Sequence, residues 1–190
     1  MTTEELLQVI ERAAEEGWTE LDLSGNELTE LPPEIGKLTQ LKKLILGKYE
    51  REEDRRIIHI ISNELSALPP EIGLLAQLEE LQVLENKLST LPTEIGQLTN
   101  LQTLNLSNNQ LSTLPAEIGQ LSNLQSLYLR SNQLSTLPAE FGQLSNLQSL
   151  YLEDNQLSTL PPEIVQLSNL QSLYLRSNQL STLPAEFGQL

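Results

Sequence analysis

The sequence contains no cysteine, a single histidine and few aromatic residues, which make up only 4% of the chain. Without cysteine there is no disulfide framework and no thiolate nucleophile. The lone His59 has no acid–base partner within the same stretch of sequence, so it defines no catalytic site. With so few aromatic rings, leucine packing must fill the core.

The chain also lacks the motifs that carry common phosphate, nucleotide and metal chemistry. It contains no GxxxxGK[ST], no GxGxxG, no HExxH and no calcium-binding loop. The acidic residues show no metal-ligand spacing beyond a simple periodicity. We therefore predict that the chain is not an enzyme and has no catalytic residues, no cofactor and no metal site.

Positive charge is scarce, with 11 lysines and arginines against 26 acidic residues and a net charge of −15. This balance disfavours nucleic acid and anionic membranes as partners. No stretch approaches the roughly 18 apolar residues that are needed to span a membrane. The opening Met-Thr-Thr-Glu-Glu is acidic and no apolar run follows it, unlike a signal peptide. Together with the lack of cysteine, these features lead us to expect a cytoplasmic protein.

The dominant positive feature is a repeat of 23 residues. Residues 101–123, LQTLNLSNNQLSTLPAEIGQLSN, recur almost unchanged at 124–146, and the pattern begins again at Leu147 and at Leu170. One asparagine marks each unit: Asn26, Asn63, Asn86, Asn109, Asn132, Asn155 and Asn178. A period in the twenties with the pattern LxxLxLxxNxLxxLP is the signature of a leucine-rich repeat solenoid.

Within each unit the alternation Leu127-Tyr128-Leu129 predicts a strand with leucines on one face and tyrosine on the other. Such leucines can be buried only if each repeat stacks on its neighbours. We expect the asparagine side chains to bond the backbone of adjacent coils. Glutamate in the LPxEIG segments forms a second column that we expect to be solvated: Glu34, Glu71, Glu94, Glu117, Glu140, Glu163 and Glu186.

These patterns predict an α/β solenoid, a horseshoe with a parallel sheet on its concave face and short helical segments outside. Residues 1–17 are expected to form an N-terminal capping helix, with a Thr2–Glu5 capping box, an apolar face and a stop at Gly17. That face is formed by Leu6, Leu7, Ile10, Ala13 and Ala14. Residues 18–190 supply seven repeats, the last of which is truncated. Trp18 replaces the first leucine of repeat one and is expected to pack between the cap and the first coil.

The second repeat carries a 14-residue insertion near residues 47–60, because Asn26 and Asn63 are 37 residues apart and 37 equals 23 plus 14. Two registers remain open. Either Leu44 and Leu46 lie in the sheet with the insertion after them, or Ile58 and Ile60 lie there with the insertion before them. The two runs can also pair with each other as a hairpin. Insertions in repeat arrays are commonly surface loops and often lie on the binding face.

The outward strand positions are the candidate partner-binding residues. One column reads Asp22, Ile45 or His59, Gln82, Asn105, Tyr128, Tyr151 and Tyr174, and the next includes Arg130, Glu153 and Arg176. Tyrosine and arginine are enriched in interface hot spots. The alternative is structural, because stacked tyrosines and alternating charges also stabilise neighbouring strands. We take Tyr128, Arg130, Tyr151, Glu153, Tyr174, Arg176 and His59 as the candidates.

The repeats LxxLxLxxNxLxxLPxEIGxLxx resemble those of intracellular Ras-group leucine-rich repeat proteins of plants and animals. The opening TTEELLQVIERAAEEGWTELDLSGNELTELPPEIGKLTQLKKLILGK more narrowly resembles the start of bacterial, especially cyanobacterial, Roco proteins. In Roco proteins such repeats precede a Ras-like GTPase domain and a dimerisation domain. The sequence here contains no GTPase domain, so no nucleotide site is carried over. It stops in mid-repeat at Leu190, from which we expect a fragment of a longer protein.

The resemblance implies a protein–protein interaction scaffold, the regulatory repeat domain of a larger Roco-type protein that acts in signalling. Its partners would be proteins, including the downstream domains of the same protein. The alternative is that the repeats select a host substrate for a secreted effector. A phosphate-binding loop downstream would favour the first hypothesis, and a secretion signal or catalytic tail would favour the second.

Overall fold

The computed structural model describes residues 1–51, 57–185 and 187. Within these residues one α-helix, α1 (Thr3–Glu15), is followed by eight strands and six short 3₁₀ helices. The strands are β1 (Glu20–Asp22), β2 (Lys43–Arg51), β3 (Ile57–Ile61), β4 (Glu80–Val83), β5 (Thr103–Asn105), β6 (Ser126–Tyr128), β7 (Ser149–Tyr151) and β8 (Ser172–Tyr174). The 3₁₀ helices are Pro33–Lys37, Pro70–Leu74, Thr93–Gln97, Ala116–Gln120, Ala139–Gln143 and Pro162–Gln166.

Seven strands form one parallel sheet in the order β1-β2-β4-β5-β6-β7-β8. From β4 onward the register is constant, so equivalent residues of successive repeats pair directly, as Leu104 does with Leu127 and Leu127 with Leu150. The predicted horseshoe solenoid with a parallel sheet on its concave face is confirmed. A constant register means that any residue type repeated every 23 positions becomes a column on the sheet.

The core is a continuous stack of aliphatic side chains that runs from Leu6 in α1 to Leu167 in repeat six. In each repeat the inward strand positions are fully buried, as Leu127 and Leu129 are, while the residue between them faces the concave side. In the described part of the chain, Phe141 is the one aromatic side chain buried in this stack. Leucine packing therefore fills the core, as the composition predicts. In the last repeat Leu173, Leu175 and Leu180 are only half-buried.

The marker asparagines bond neighbouring coils, as predicted. The Asn132 side-chain amide donates to the carbonyls of Leu106 and Leu129, each at 3.0 Å. Its Oδ1 atom accepts a 3.0 Å hydrogen bond from the backbone N–H of Leu111 in the preceding repeat. Because these carbonyl and N–H groups are buried, they have no access to water, and the asparagine supplies their partners.

The insertion forms a β-hairpin that grows out of the sheet. The first half of β2 lies in the parallel sheet between β1 and β4, and its second half pairs antiparallel with β3. Leu44 and Leu46 are thus the core residues of repeat two, and Ile45 rather than His59 takes the outward position. The register shifts between Ile45 and Gly47, which is where a bulge turns the strand out of the sheet.

Two glycines make room for the hairpin. A Cβ atom on Gly47 would lie 2.0 Å from the carbonyl oxygen of Leu84, so no side chain fits there. A Cβ atom on Gly25 would lie 2.7 Å from Cγ2 of Ile61, at the base of the hairpin. The Lys48 ammonium group forms an ion pair with Asp22 and ties the hairpin to β1.

Asn63 keeps its place in the asparagine column despite the insertion. Its amide donates to Leu46 and Leu23, 17 and 40 residues earlier, whereas the amide of Asn132 donates to carbonyls 3 and 26 residues earlier. Both separations grow by 14 residues, since 17 minus 3 and 40 minus 26 both equal 14. The insertion therefore leaves the stacking of repeats one and two unchanged.

Helix α1 covers the first coil. The predicted capping box is present, because the Thr2 hydroxyl accepts from the Glu5 N–H at 3.2 Å and Glu5 accepts from the Thr2 N–H at 2.7 Å. Leu6, Ile10 and Ala13 are buried in the core, whereas Leu7 and Ala14 are only half-buried. Gly17 adopts a left-handed φ of 65° directly after the helix, as its predicted stop requires.

Trp18 is half-buried against the core rather than enclosed, and its Nε1 atom donates to Glu16 at 2.8 Å. The Arg12 guanidinium group lies 5.9 Å from the centre of its ring. The side chain is thus held by polar contacts as well as by the packing that the sequence predicts.

The 3₁₀ helices stack in an outer column that carries the glutamates. From Glu34 to Glu163 these glutamates are half-buried, and Glu186 lies outside the described residues. From the first to the fifth of these turns, the glycine two residues after the glutamate allows close stacking, since a Cβ atom on Gly119 would lie 2.3 Å from the carbonyl oxygen of Glu140. In the sixth turn Val165 takes the place of this glycine. In the described part of the chain, no helix has the length and apolar character that a membrane span requires.

Candidate functional site

Three tyrosines on the concave face form a stacked column. The strand pairing sets Tyr128 beside Tyr151 and Tyr151 beside Tyr174. The ring centroids are 4.5 Å and 4.7 Å apart, with interplanar angles of 9° and 7°. Burial raises the pKa of Tyr151, and its two tyrosine neighbours add to the shift. The column predicted from the sequence is present, and Tyr174 leaves 45% of its surface exposed at the end.

Among the charged residues beside the tyrosines, Arg130 pairs outside its own column. Arg130 Nε lies 3.1 Å from Asp154 Oδ2 in the turn of the next repeat, rather than pairing with Glu153 on the next strand. Hydrogen bonds from Ser177 and from Arg130 lower the pKa of Asp154. Asp154 has a left-handed φ of 56°, a conformation that aspartate tolerates better than most residues.

Glu153 lies between Arg130 and Arg176 in sequence register, yet its Oε2 atom is buried and has no hydrogen-bond partner within the part of the chain that the structure describes. Arg176 is exposed. A buried carboxylate oxygen without a donor is costly. Among the described residues of the concave face, the charged part of the candidate site thus contains the buried polar atom that lacks a hydrogen bond.

A groove runs along the concave face from the hairpin to the tyrosine column, with a volume of about 590 Å³. Lys48 and Tyr49 of the hairpin line one end, and Tyr128 and Tyr151 line the other. Gln82 and Asn105 lie in the floor between these ends, at the outward positions of β4 and β5. The insertion therefore contributes to the same surface as the candidate residues, which neither sequence register could show.

Part of the groove floor is buried although its side chains lie on the outward face of the sheet. Leu84 is 1% exposed, Asn105 is 6% exposed and Ser107 is 4% exposed. Asn105 Oδ1 accepts a 3.1 Å hydrogen bond from the Ser107 N–H, which fixes its carboxamide. The middle of the groove is thus a recess whose polar groups are held in place.

His59, the remaining candidate residue, lies apart from the tyrosine column. It is exposed on β3, where it pairs with Glu50 of β2. The structure therefore brings together Tyr128, Tyr151 and Tyr174 with Arg130, Glu153 and Arg176, but it separates His59 from them. Among the described residues, no group of three or more histidine or acidic side chains could hold a metal ion.

A second asparagine column was missed at the sequence level. Its side-chain amides donate to carbonyls 24 residues earlier at 2.7–2.8 Å, and its members are Asn100, Asn123, Asn146 and Asn169. These asparagines also recur every 23 residues, so the period could have revealed them. They are exposed, and each makes one such bond to the preceding coil.

Comparison with known families agrees with this geometry. The sequence model of a family described as Leucine rich repeat matches residues 56–111, 99–157 and 145–190, and a second model of the same description matches residues 18–38. The chain belongs to the leucine-rich repeat family. No curated protein sequence matched the chain.

Solved structures of leucine-rich repeat proteins share the fold. A leucine-rich repeat protein of Leptospira interrogans is 34% identical with a TM-score of 0.63, and the match covers 93% of this chain and 59% of that one. A TDR receptor is 35% identical with a TM-score of 0.67, covering 80% and 25% respectively. The plant peptide hormone receptor RGFR1, solved in complex with RGF2, is 32% identical with a TM-score of 0.61, covering 87% and 30%. This leucine-rich repeat chain thus spans less than two thirds of each of these proteins.

Proposed function

We propose that this chain is the regulatory leucine-rich repeat domain of a larger, cytoplasmic Roco-type GTPase protein. Leucine-rich repeat proteins serve as protein-interaction scaffolds, and this repeat fold is generally a non-enzymatic one. The observation that supports a binding role is the groove on the concave face, lined at one end by the hairpin and at the other by stacked tyrosines. The Roco context is supported by the resemblance of residues 2–48 to the start of such proteins.

The tyrosine column has the features of a binding hot spot. Tyr128 and Tyr151 are half-buried, so part of each ring remains available to a partner. Because the rings are already stacked, binding does not need to order them. Arg130 lies beside them and is already oriented by its 3.1 Å contact with Asp154. Rigid aromatic and arginine side chains lose little conformational freedom in a complex, which favours affinity.

The partner in this proposal is a protein, first of all the downstream domains of the same polypeptide. The RGFR1 structure shows that a fold of this kind can hold a peptide hormone, which supports recognition of a polypeptide segment. The large negative net charge of −15 makes nucleic acid and anionic membranes poor partners. The alternative, a secreted effector whose repeats select a host substrate, uses the same groove.

The test begins with the full open reading frame, which should encode a GTPase domain after the repeats. The purified downstream domains are then titrated against the parent chain and against Tyr151→Ala. Loss of the central ring should weaken binding by about 2 kcal/mol or more. Glu140→Ala, in the outer column of turns, is the control and should bind like the parent.

The Roco context and the binding role of the tyrosines can fail independently. An open reading frame that continues into a secretion or catalytic segment without a GTPase domain would replace the Roco hypothesis with the effector hypothesis. Tyr151→Ala binding every recovered partner as tightly as the parent, while unfolding at a lower temperature, would show that the tyrosines are structural.

A further inference from the structure

The hairpin strand β3 has an open edge. Among the described residues β3 pairs with β2 and with no other strand, so its second row of backbone N–H and C=O groups faces outward. The edge ends at Ser62, whose carbonyl accepts a 3.0 Å hydrogen bond from the N–H of Gly25. An open strand edge is a template for pairing with another strand.

The strand lacks the residue types that usually protect such an edge, although its pairing with β2 shifts register once, opposite Glu50 and Arg51. Its sequence is Ile-Ile-His-Ile-Ile, with no proline, lysine or acidic residue. Ile60 is 40% exposed and His59 is exposed, whereas most other large aliphatic side chains of the described chain are buried. β-Branched residues on an exposed edge favour strand pairing.

The sequence of β3 is also a palindrome centred on His59. When two copies of such a strand pair antiparallel around a two-fold axis through this residue, Ile57 lies opposite Ile61 and Ile58 lies opposite Ile60. Every cross-strand position then joins identical residue types. A two-fold interface needs this kind of self-complementarity.

Electrostatics favours the same place for contact between two copies. Residues 47–61 contain four basic and four acidic residues, so their net charge is zero, and the whole charge of −15 lies elsewhere in the chain. Two copies that approach through the hairpin therefore bring their neutral segments together and keep their acidic surfaces apart.

We propose that two copies of this chain form a symmetric dimer through antiparallel pairing of their β3 strands about His59. The pairing continues each hairpin into a four-stranded sheet across the two-fold axis. Strand addition of this kind draws its affinity from main-chain hydrogen bonds. It leaves the tyrosine column and the concave groove on each copy free for a separate partner.

The first test is the mass of the chain in solution. Sedimentation equilibrium should show a mass that rises with concentration toward twice the 21.3 kDa of one chain. Added salt should strengthen the association, because it screens the repulsion between two acidic chains. Ile60→Lys should weaken dimerisation by about tenfold or more, since lysine on an edge strand opposes pairing.

The matched control is Leu74→Lys. Leu74 is 54% exposed at the end of a 3₁₀ helix, and the equivalent residue of the preceding repeat is Lys37. This variant makes the same change of side chain and of net charge away from the hairpin, so it should dimerise like the parent. Deletion of residues 48–61 restores the 23-residue spacing, and this variant should be folded by circular dichroism and monomeric by sedimentation equilibrium.

A cross-link tests the register. The parent chain has no cysteine, so His59→Cys introduces the only thiol. Residues directly opposite in an antiparallel pair have Cα atoms about 4.5–5.5 Å apart, within disulfide reach. Oxidation should therefore link the two copies of His59→Cys. The residues at position 60 would be about 8 Å apart, so Ile60→Cys should link far less.

A chain that remains monomeric at every concentration would overturn the proposal, as would equal loss of dimer in Ile60→Lys and Leu74→Lys. Equal cross-linking of the His59→Cys and Ile60→Cys variants would overturn the two-fold register. A monomer that instead captures an extended peptide at β3 would assign the edge to a different protein.

Discussion

The ring of Tyr151 lies 4.5 Å from the ring of Tyr128, and the two planes are within 9° of each other. This spacing is close to the roughly 4.8 Å that separates neighbouring strands. The stacking therefore follows from the backbone, because the strand register places the two residues directly opposite each other. A third ring, that of Tyr174, stacks on the other side of Tyr151 at 4.7 Å.

We expect the position of Tyr151 to make the protein less stable in alkali. Burial raises the pKa of this side chain above the usual value of about 10, so the unfolded chain releases the proton first. The contribution of the protonated Tyr151 hydroxyl to the free energy of unfolding is complete below about pH 10, and it is lost as the pH rises through the folded-state pKa. Urea midpoints measured from about pH 9 to 12 should fall less steeply for Tyr151→Phe, which keeps the ring but cannot ionise. Identical pH dependence of the two proteins would contradict this.

The two asparagine columns should contribute differently to the free energy of unfolding. Asn132→Ala leaves the N–H of Leu111 and the carbonyls of Leu106 and Leu129 without their side-chain partner, and all are buried. We expect a loss of about 2–4 kcal/mol in unfolding free energy, measured in urea.

The matched control for the asparagine columns is Asn146→Ala. It removes a single exposed bond to Ser122 and should cost less than about 1 kcal/mol. Equal losses in Asn132→Ala and Asn146→Ala would show that burial does not set the energy of the columns.

Gly47 should be intolerant of any side chain. A Cβ atom there would lie 2.0 Å from a backbone oxygen, so Gly47→Ala should cost about 2 kcal/mol or more and expose the β3 amides to hydrogen exchange. Gly17→Ala is the control, because Gly17 has φ of 65° but a Cβ atom added to it would meet nothing within 4 Å. Its cost should be about 1 kcal/mol from backbone strain alone, with no change in exchange at β3. Unchanged exchange in Gly47→Ala would mean that the bulge does not hold the hairpin.

The cap should depend on Leu6. This side chain is 2% exposed within the core, so Leu6→Asp places a charge in apolar surroundings and should cost about 3 kcal/mol or more. Gln8→Asp makes the same acidic substitution on the exposed face of α1 and should be nearly neutral. A melt that shows equal stability of the two variants would indicate that α1 is not part of the cooperative core.

Much of the fold follows from the sequence because repetition turns local pattern into geometry. The 23-residue step predicts the parallel sheet, the leucine core and the asparagine column, and the Tyr128–Tyr151 stack needs only that constant register. The insertion could not be placed this way, because Ile58 and Ile60 precede Asn63 at the spacing of true core residues. The register depends on a backbone approach at Gly47, which no pattern of side chains reveals.

The charged part of the candidate site shows a different limit. In the strand pattern Arg130, Glu153 and Arg176 share one outward column, where alternating charges could pair between neighbouring strands. Arg130 instead reaches Asp154, which belongs to the turn after the strand and stands at a left-handed position. Long side chains can reach beyond their own column. The alternation of residues along a strand therefore predicts which side chains lie on the concave face, but not which of them form ion pairs.

The bulge between Ile45 and Gly47 in β2 has a consequence for how this protein can diversify. Asn63 bonds Leu23 and Leu46 in the same way as the asparagines of repeats that carry no insertion. The hairpin is therefore added to the solenoid without changing how the repeats stack. Its length and composition can change without adjustment of the neighbouring repeats, much as a variable loop changes on an antibody framework. Position 47 is thus a point at which the repeat array can accept a different inserted segment, and with it a different binding surface.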